Sequence, residues 1–408
     1  PIYRHSGKSE YWVFDIKANT MERLSEKGKQ QLAVFSPSGN EVAFARDNNL
    51  FIKDLVSGVE TQITNDGLFN HIINGTTDWV YEEEFGFTQA FFWSPDGKKL
   101  AFYRFDESEV KQFTMMMYNE LYPEEYRFKY PKAGEANSKV SVLIYHLDNG
   151  KTTKVNLGEE ADIYIPRIKW SKKKDQLAVL RLNRHQNHLE IILADAEKGT
   201  GRLIYEEKNA CYIEIGDNLL FLDNGNQFIL SSEKSGYNHL YLCSTEKMEE
   251  KQITRGNWEV TDFYGYDEKS KTIYYASTES SPMNRDIYSI KLDGKKKTRL
   301  NTLEGTNTAQ FSKGFKFFIN TYSGSNTPPI YAIYNSKGEE VKVLEDNKAL
   351  VEKVKEYGFS EKRMFSFKTG EGEVLNGWMI KPSDFDSTKK YPVFMYVYGG
   401  PGSQTVLN

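Results

Sequence analysis

The chain alternates short apolar stretches with polar turns, and one combination of the two recurs. Each copy opens on an aromatic residue, crosses a polar turn of about five residues and enters an apolar strand. It reads Phe35-Ser-Pro-Ser-Gly-Asn-Glu-Val42, Trp93-Ser-Pro-Asp-Gly-Lys-Lys-Leu100 and Trp170-Ser-Lys-Lys-Lys-Asp-Gln-Leu177, with weaker copies from Phe221 and Tyr266 and a shortened one from Phe311. Proline presets φ and glycine accepts φ > 0, so Pro-Ser-Gly or Pro-Asp-Gly between apolar flanks predicts a tight turn between strands. The other half of the unit is an alternating strand, a turn and a second strand. Seven such hairpins are predicted, near residues 10–26, 48–64, 141–157, 189–205, 239–254, 286–301 and 328–345. Four short strands per 40 to 50 residues is the pattern of a β-propeller blade. The first copy lacks its leading half, so the chain is expected to begin inside a blade.

Two stretches interrupt the period. Residues 65–87 carry an acidic run, and residues 105–138 are rich in Tyr, Met and Pro, including Met115-Met-Met-Tyr118. Excursions of this kind map to loops or arms, where function concentrates. After the last hairpin the pattern changes. Residues 347–357 predict a short amphipathic helix capped by Asn347, with Leu350, Val354 and Tyr357 on one side. Strands are predicted near 363–368 and 374–380. The nearly continuous apolar run Lys390–Tyr398 predicts a buried strand of an α/β sheet. The expected domains are therefore 1–350, mainly all-β, and 351–408, the opening of a different domain.

Composition narrows the class. The 408 residues carry a net charge of −4, without the basic footprint of a nucleic-acid-binding protein. Mean hydropathy is −0.63, and no apolar run reaches the length of about 18 residues that spans a bilayer. Aromatic residues make up 14 %, with 26 Tyr and 25 Phe, which favours sheet over helix. Cys211 and Cys243 lack metal-ligand spacing and read as buried thiols, with one disulfide as the alternative. The six histidines form no zinc-type pair; His185 and His188 read as a solvated turn. No metal or cofactor motif is present.

Two segments carry chemistry. Asp78-Trp-Val-Tyr-Glu-Glu-Glu84 sets three carboxylates behind aromatic residues. Alone, Glu-Glu-Glu reads as a solvated turn. Flanked by Trp79, Tyr81, Phe85 and Phe87, it reads as an anchored, partly desolvated site for a cation. Tyr398-Gly-Gly-Pro-Gly-Ser-Gln404 has the form of the loop after an early strand of an α/β-hydrolase, which contributes to an oxyanion hole. The chain holds no G-x-S-x-G, and Ser403 sits where a nucleophile would not.

Tyr3-Arg-His-Ser6, Asn74–Glu84, Tyr130-Pro-Lys-Ala-Gly134, Gly256-Asn-Trp-Glu-Val260, Val343-Leu-Glu-Asp-Asn347 and Tyr391-Pro through Ser403-Gln404 stand in one order. In that order they resemble the propeller region of bacterial dipeptidyl peptidase IV, in the prolyl oligopeptidase group of serine peptidases. The resemblance implies an eight-bladed propeller, of which seven blades or part-blades are visible, followed by the first strands of an α/β-hydrolase domain. It implies a serine exopeptidase that removes X-Pro or X-Ala dipeptides from free peptide N-termini without a cofactor. Glu83 and Glu84 would grip the substrate ammonium, Arg4 would bind a substrate carbonyl and steady the acids, and Tyr398 would serve the oxyanion hole. Residues 105–138 would form the arm of a homodimer. The catalytic domain that carries Ser, Asp and His would be a partner outside this chain, which alone should be inactive. An exported, periplasmic or cell-envelope location is implied. Phe87 stands where animal members carry a smaller polar residue. Related alternatives are a prolyl tripeptidyl or acylaminoacyl-type peptidase; from another class, a propeller interaction scaffold.

Overall fold

The computed structural model describes residues 3–400 and 402–408. It is almost entirely antiparallel β-sheet, with two helices, α1 (Trp79–Glu83) and α2 (Lys348–Glu356). All seven predicted hairpins form, from Trp12–Asp15 paired with Thr20–Arg23 to Thr327–Asn335 paired with Glu340–Glu345. The strand expected after each aromatic turn forms too, and joins its hairpin into a sheet of four or more strands. There are six such sheets among the described residues, and the Trp12–Arg23 hairpin stands as a two-stranded sheet.

The repeated turn has the predicted mechanics. The Gly39 amide donates to the Ser36 carbonyl at 3.0 Å and the Gly97 amide to that of Ser94 at 2.9 Å. Both glycines take φ near +75°, at 79° and 71°. The leading aromatics do more than fill space. Trp93 Nε1 donates to the Val34 carbonyl at 3.2 Å and Trp170 Nε1 to that of Phe92 at 3.0 Å, so each tryptophan ties its sheet to the preceding one.

The chain forms two compact units, Pro1–Phe228 with Cys243–Glu249, and Ile229–Leu242 with Glu250–Asn408. In the first, a core of Ala43, Ala45, Leu50, Ile52, Phe91, Leu100 and Phe102 lies between consecutive sheets. In the second, Tyr274, Ile287, Leu300, Ala309, Phe318, Ala332 and Tyr334 play that part. Residue 350, where the sequence places a domain boundary, lies in α2 within the second unit.

Both interruptions of the period have defined structure. In the first, Ile72–Asn74 pairs with Lys99–Asp106 and is followed by α1. In the second, Gln112–Met117 pairs with Glu124–Lys129 as a separate hairpin whose tip exposes Tyr118, Leu121 and Tyr122.

Three expectations need correction. Lys390–Tyr398 is not a strand: its residues pair with nothing regular, and Val393 and Phe394 are 90 % and 93 % exposed. A buried strand needs neighbours on both edges and cover on both faces, and the described residues supply neither. Asn347 precedes α2 in the left-handed region and makes no side-chain cap; its Nδ2 donates instead to the Pro329 carbonyl at 2.6 Å. Cys211 is exposed and only Cys243 is buried; neither forms a disulfide.

Candidate functional site

The acidic segment is shaped by its first residue. Asp78 has extended backbone and accepts the Tyr81 amide at 3.0 Å, an N-cap that starts α1. Its other oxygen accepts from Ser138 Oγ at 2.6 Å, which fastens the helix to the far end of the hairpin excursion. Burial pushes the Asp78 carboxyl up despite these donors. Tyr81 then turns inward among Phe85, Phe87, Tyr103, Phe105 and Tyr164, with ring centroids 4.7 to 6.4 Å away. Its hydroxyl accepts the Ile165 amide at 2.8 Å.

With Tyr81 locked inward, the helix sends the three acids in three directions. Glu82 is buried, 1 % exposed, and its Oε1 accepts the amides of His5 at 2.6 Å and Ser6 at 2.9 Å. Glu83 is half-buried and its Oε1 lies 2.6 Å from Arg4 Nη2. Glu84, at the helix C-cap, is exposed, and its carboxylate has no hydrogen-bond or ion-pair partner among the described residues. Acids at the carboxyl end of a helix oppose its dipole, so their placement favours a bound cation over helix stability.

Of the residues singled out by sequence, Arg4 and Glu83 are thus brought into contact, and Glu84 follows at the helix C-cap with its carboxylate turned to solvent. Tyr398 belongs to the second unit, lies in an irregular segment and is 60 % exposed. Pro401 of the same loop lies outside the described residues.

Beside Glu84 opens a cavity of about 430 Å³, lined among others by Trp79, Phe85, Tyr164, Arg167, Arg184 and Tyr212. Arg167 lies over the Phe87 ring at 5.2 Å and Arg184 over that of Tyr164 at 5.8 Å, giving the walls an aromatic and cationic character. Phe87 thus contacts both the inward Tyr81 ring and the Arg167 guanidinium. The family resemblance points to a further aromatic subsite residue near 212–216 without fixing which; Tyr212 lines this cavity, from an irregular stretch with no repeat position to mark it. A second cavity, of about 580 Å³, is lined by Tyr3, Ser6, Thr76, Glu107 and Tyr126 among others. Glu107 is 3 % exposed, and burial, reinforced by the charge of Asp78, pushes its carboxyl up to about 7.

One cluster elsewhere was missed. His188, Glu190 and Glu206 converge from paired strands. His188 is no solvated turn residue: its Nε2 lies 2.9 Å from Glu206. Arg181 holds Glu190 and Lys208 holds Glu206, so both carboxylates already have cations.

Residues 1–329 match the family model described as the dipeptidyl peptidase IV (DPP IV) N-terminal region. The chain belongs to the dipeptidyl peptidase IV family. It is 35 % identical over 427 residues to dipeptidyl peptidase 4 of Trichophyton rubrum, covering 99 % of this chain and 54 % of that protein. It is 34 % identical over 442 residues to "Probable dipeptidyl-aminopeptidase B" of Pyrenophora teres f. teres, covering 99 % and 48 %. The crystal structure of Porphyromonas gingivalis dipeptidyl peptidase 4 matches with a TM-score of 0.95 and 44 % identity, over 100 % of this chain and 58 % of that one. The chain spans about half the length of the curated relatives it matches. As a member of the dipeptidyl peptidase IV family it has the propeller-type β architecture that its recurring sheets predict, and its relatives are dipeptidyl peptidases.

Proposed function

We propose that this chain is the substrate-selecting region of a serine exopeptidase that releases X-Pro and X-Ala dipeptides from free peptide N-termini. The observation that carries the reading is the Arg4–Glu83 pair at 2.6 Å, with the unpaired Glu84 carboxylate one residue further along. An exopeptidase must measure distance from the chain end, and the α-ammonium is the charge that marks it. Two carboxylates gripping that group set how many residues fit before the scissile bond. An adjacent guanidinium offers planar donors to a substrate carbonyl. The relatives' dipeptidyl peptidase names support the release of two residues.

In the same reading Tyr398 donates its phenolic hydroxyl to the oxyanion, stabilising charge that develops only in the transition state. Residues from about 351 onward open the hydrolase domain in this reading. The exposed tip of the 112–129 hairpin suits a homodimer arm.

The test is hydrolysis of a Gly-Pro-chromophore substrate by the full-length enzyme, with free and N-acetylated N-termini. Glu83→Gln or Glu84→Gln should cut kcat/KM for the free substrate by about two orders of magnitude or more. Equal turnover of both substrates by the unmutated enzyme refutes the amine anchor. Release of three residues from longer peptides points to a tripeptidyl peptidase. Residues 1–408 by themselves should show no turnover, since they hold no G-x-S-x-G elbow.

A further inference from the structure

Glu82 is the acid for which the ammonium grip has no use, yet the fold buries it most deeply of the three. We infer that Glu82 is the positioning residue of the grip: it fixes the backbone of His5 and Ser6 so that the Arg4 guanidinium is delivered to Glu83. The inference rests on the amine-anchor reading of Arg4, Glu83 and Glu84.

The Arg4 side chain is 72 % exposed, and Glu83 is its ion-pair partner among the described residues. An exposed pair of this kind contributes about 0–1 kcal/mol, too little to hold a long side chain in one place. Precision has to come from the backbone. Residues 3–6 belong to no strand; an isolated bridge follows at Ser9, opposite Gln30, and the first strand starts only at Trp12.

What holds the segment is one carboxylate oxygen accepting two successive amides, at 2.6 and 2.9 Å, from residues 77 and 76 positions away. Adjacent amides converging on an anion form a small concave anion site. Here its occupant belongs to the protein. Because Glu82 and Glu83 are neighbours on one helix, and Arg4 and His5 neighbours on one segment, the bond to Glu82 sets the register of the pair at Glu83.

Stability alone does not explain this residue. Its Oε2 is buried without a hydrogen-bond partner among the described residues, and an unpartnered buried carboxylate oxygen costs free energy. The ring of Tyr3, 5.8 Å from that of Phe128, is the other visible anchor of the segment.

The experiment is steady-state kinetics of the full-length enzyme on Gly-Pro-chromophore substrate. Glu82→Met fills the same space but removes the acceptor; it should raise KM about tenfold or more, with kcat within about threefold. Glu82→Gln keeps an oxygen for both amides and should restore KM to within about threefold of the unmutated enzyme. A folded Glu82→Met enzyme with unchanged KM overturns the inference. Should Glu82→Met not fold, Glu82→Asp decides, since it retracts the acceptor by one methylene: KM should rise severalfold, and an unchanged KM overturns the inference. The two levels separate cleanly. An unmutated enzyme that ignores N-acetylation overturns the amine anchor and this inference with it. One that discriminates, beside an unaffected Glu82→Met, overturns the positioning role alone.

Discussion

Arg4 Nη2 lies 2.6 Å from Glu83 Oε1, joining a segment near one end of the sequence to a helix that interrupts the second sheet. The pair is exposed on the arginine side and half-buried on the acid side, so it leaves the carboxylate reachable by a ligand. Removing the guanidinium should therefore harm function more than folding. Arg4→Ala in the full-length enzyme should lower kcat/KM for free N-termini about a hundredfold and leave the melting temperature within about two degrees. Arg4→Lys should recover only part, since an ammonium is a point charge without the planar fork. Full activity in Arg4→Ala would contradict the role.

Tyr81 holds α1 in place through the Ile165 amide at 2.8 Å. Tyr81→Phe leaves that buried donor without its acceptor and should cost about 1–3 kcal/mol, seen as a lower midpoint in urea unfolding. Activity should fall only as far as stability does, because phenylalanine keeps the ring that packs among Phe85, Phe105 and Tyr164.

Glu107 gives a pH dependence with a definite sign. Burial first, then the charge of Asp78, raises its carboxyl from 4.5 to about 7, against the opposing pull of Lys129. The folded state therefore binds the proton more tightly than the unfolded state does. The associated stability is fully present below about pH 4.5 and is lost as pH rises through about 7. Glu107→Gln should flatten the melting temperature over that window and raise stability above it, by a few kcal/mol at most. Unfolding curves between pH 5 and about 8 read this directly; an unchanged slope would refute it.

Gly75 precedes the acidic segment at φ +77°, and an added Cβ would lie 2.3 Å from Leu50 Cδ2 in the core. Backbone strain and overpacking act together, so Gly75→Ala should destabilise by roughly 2–4 kcal/mol. The expected readout is a lower urea midpoint than that of the unmutated protein.

The two cysteines should differ sharply toward a thiol reagent. Cys211 is exposed and should react within minutes in the native protein, whereas Cys243, 2 % exposed, should react only on unfolding. Two fast thiols, or none, would contradict the structure.

The repeat was legible because its signals are local. Pro-Asp-Gly and Pro-Ser-Gly dictate their own turns, and alternation dictates which strand faces are apolar, so all seven hairpins could be located before any contact was known. Lys390–Tyr398 failed for the opposite reason. Its apolar run specifies a strand that needs partners on both edges, and a segment cannot supply its own. Asn347 failed on a smaller scale: a cap needs extended backbone at that residue, and Asn347 stands in the left-handed region at φ +52°, with its amide nitrogen on the Pro329 carbonyl.

The candidate site divides along the same line. Composition and motif pointed to acids beside aromatics, and the family resemblance assigned Arg4 to them. The sequence could not say that the three glutamates do different work. That was decided by Tyr81, whose burial sets the rotation of α1 and sends one carboxylate inward to the amides of His5 and Ser6, one to Arg4 and one to solvent. Turns and strands follow from forces between residues a few positions apart, which a linear chain displays. The division of labour among adjacent, identical side chains follows from what the rest of the fold places around them, and only the tertiary structure contains that.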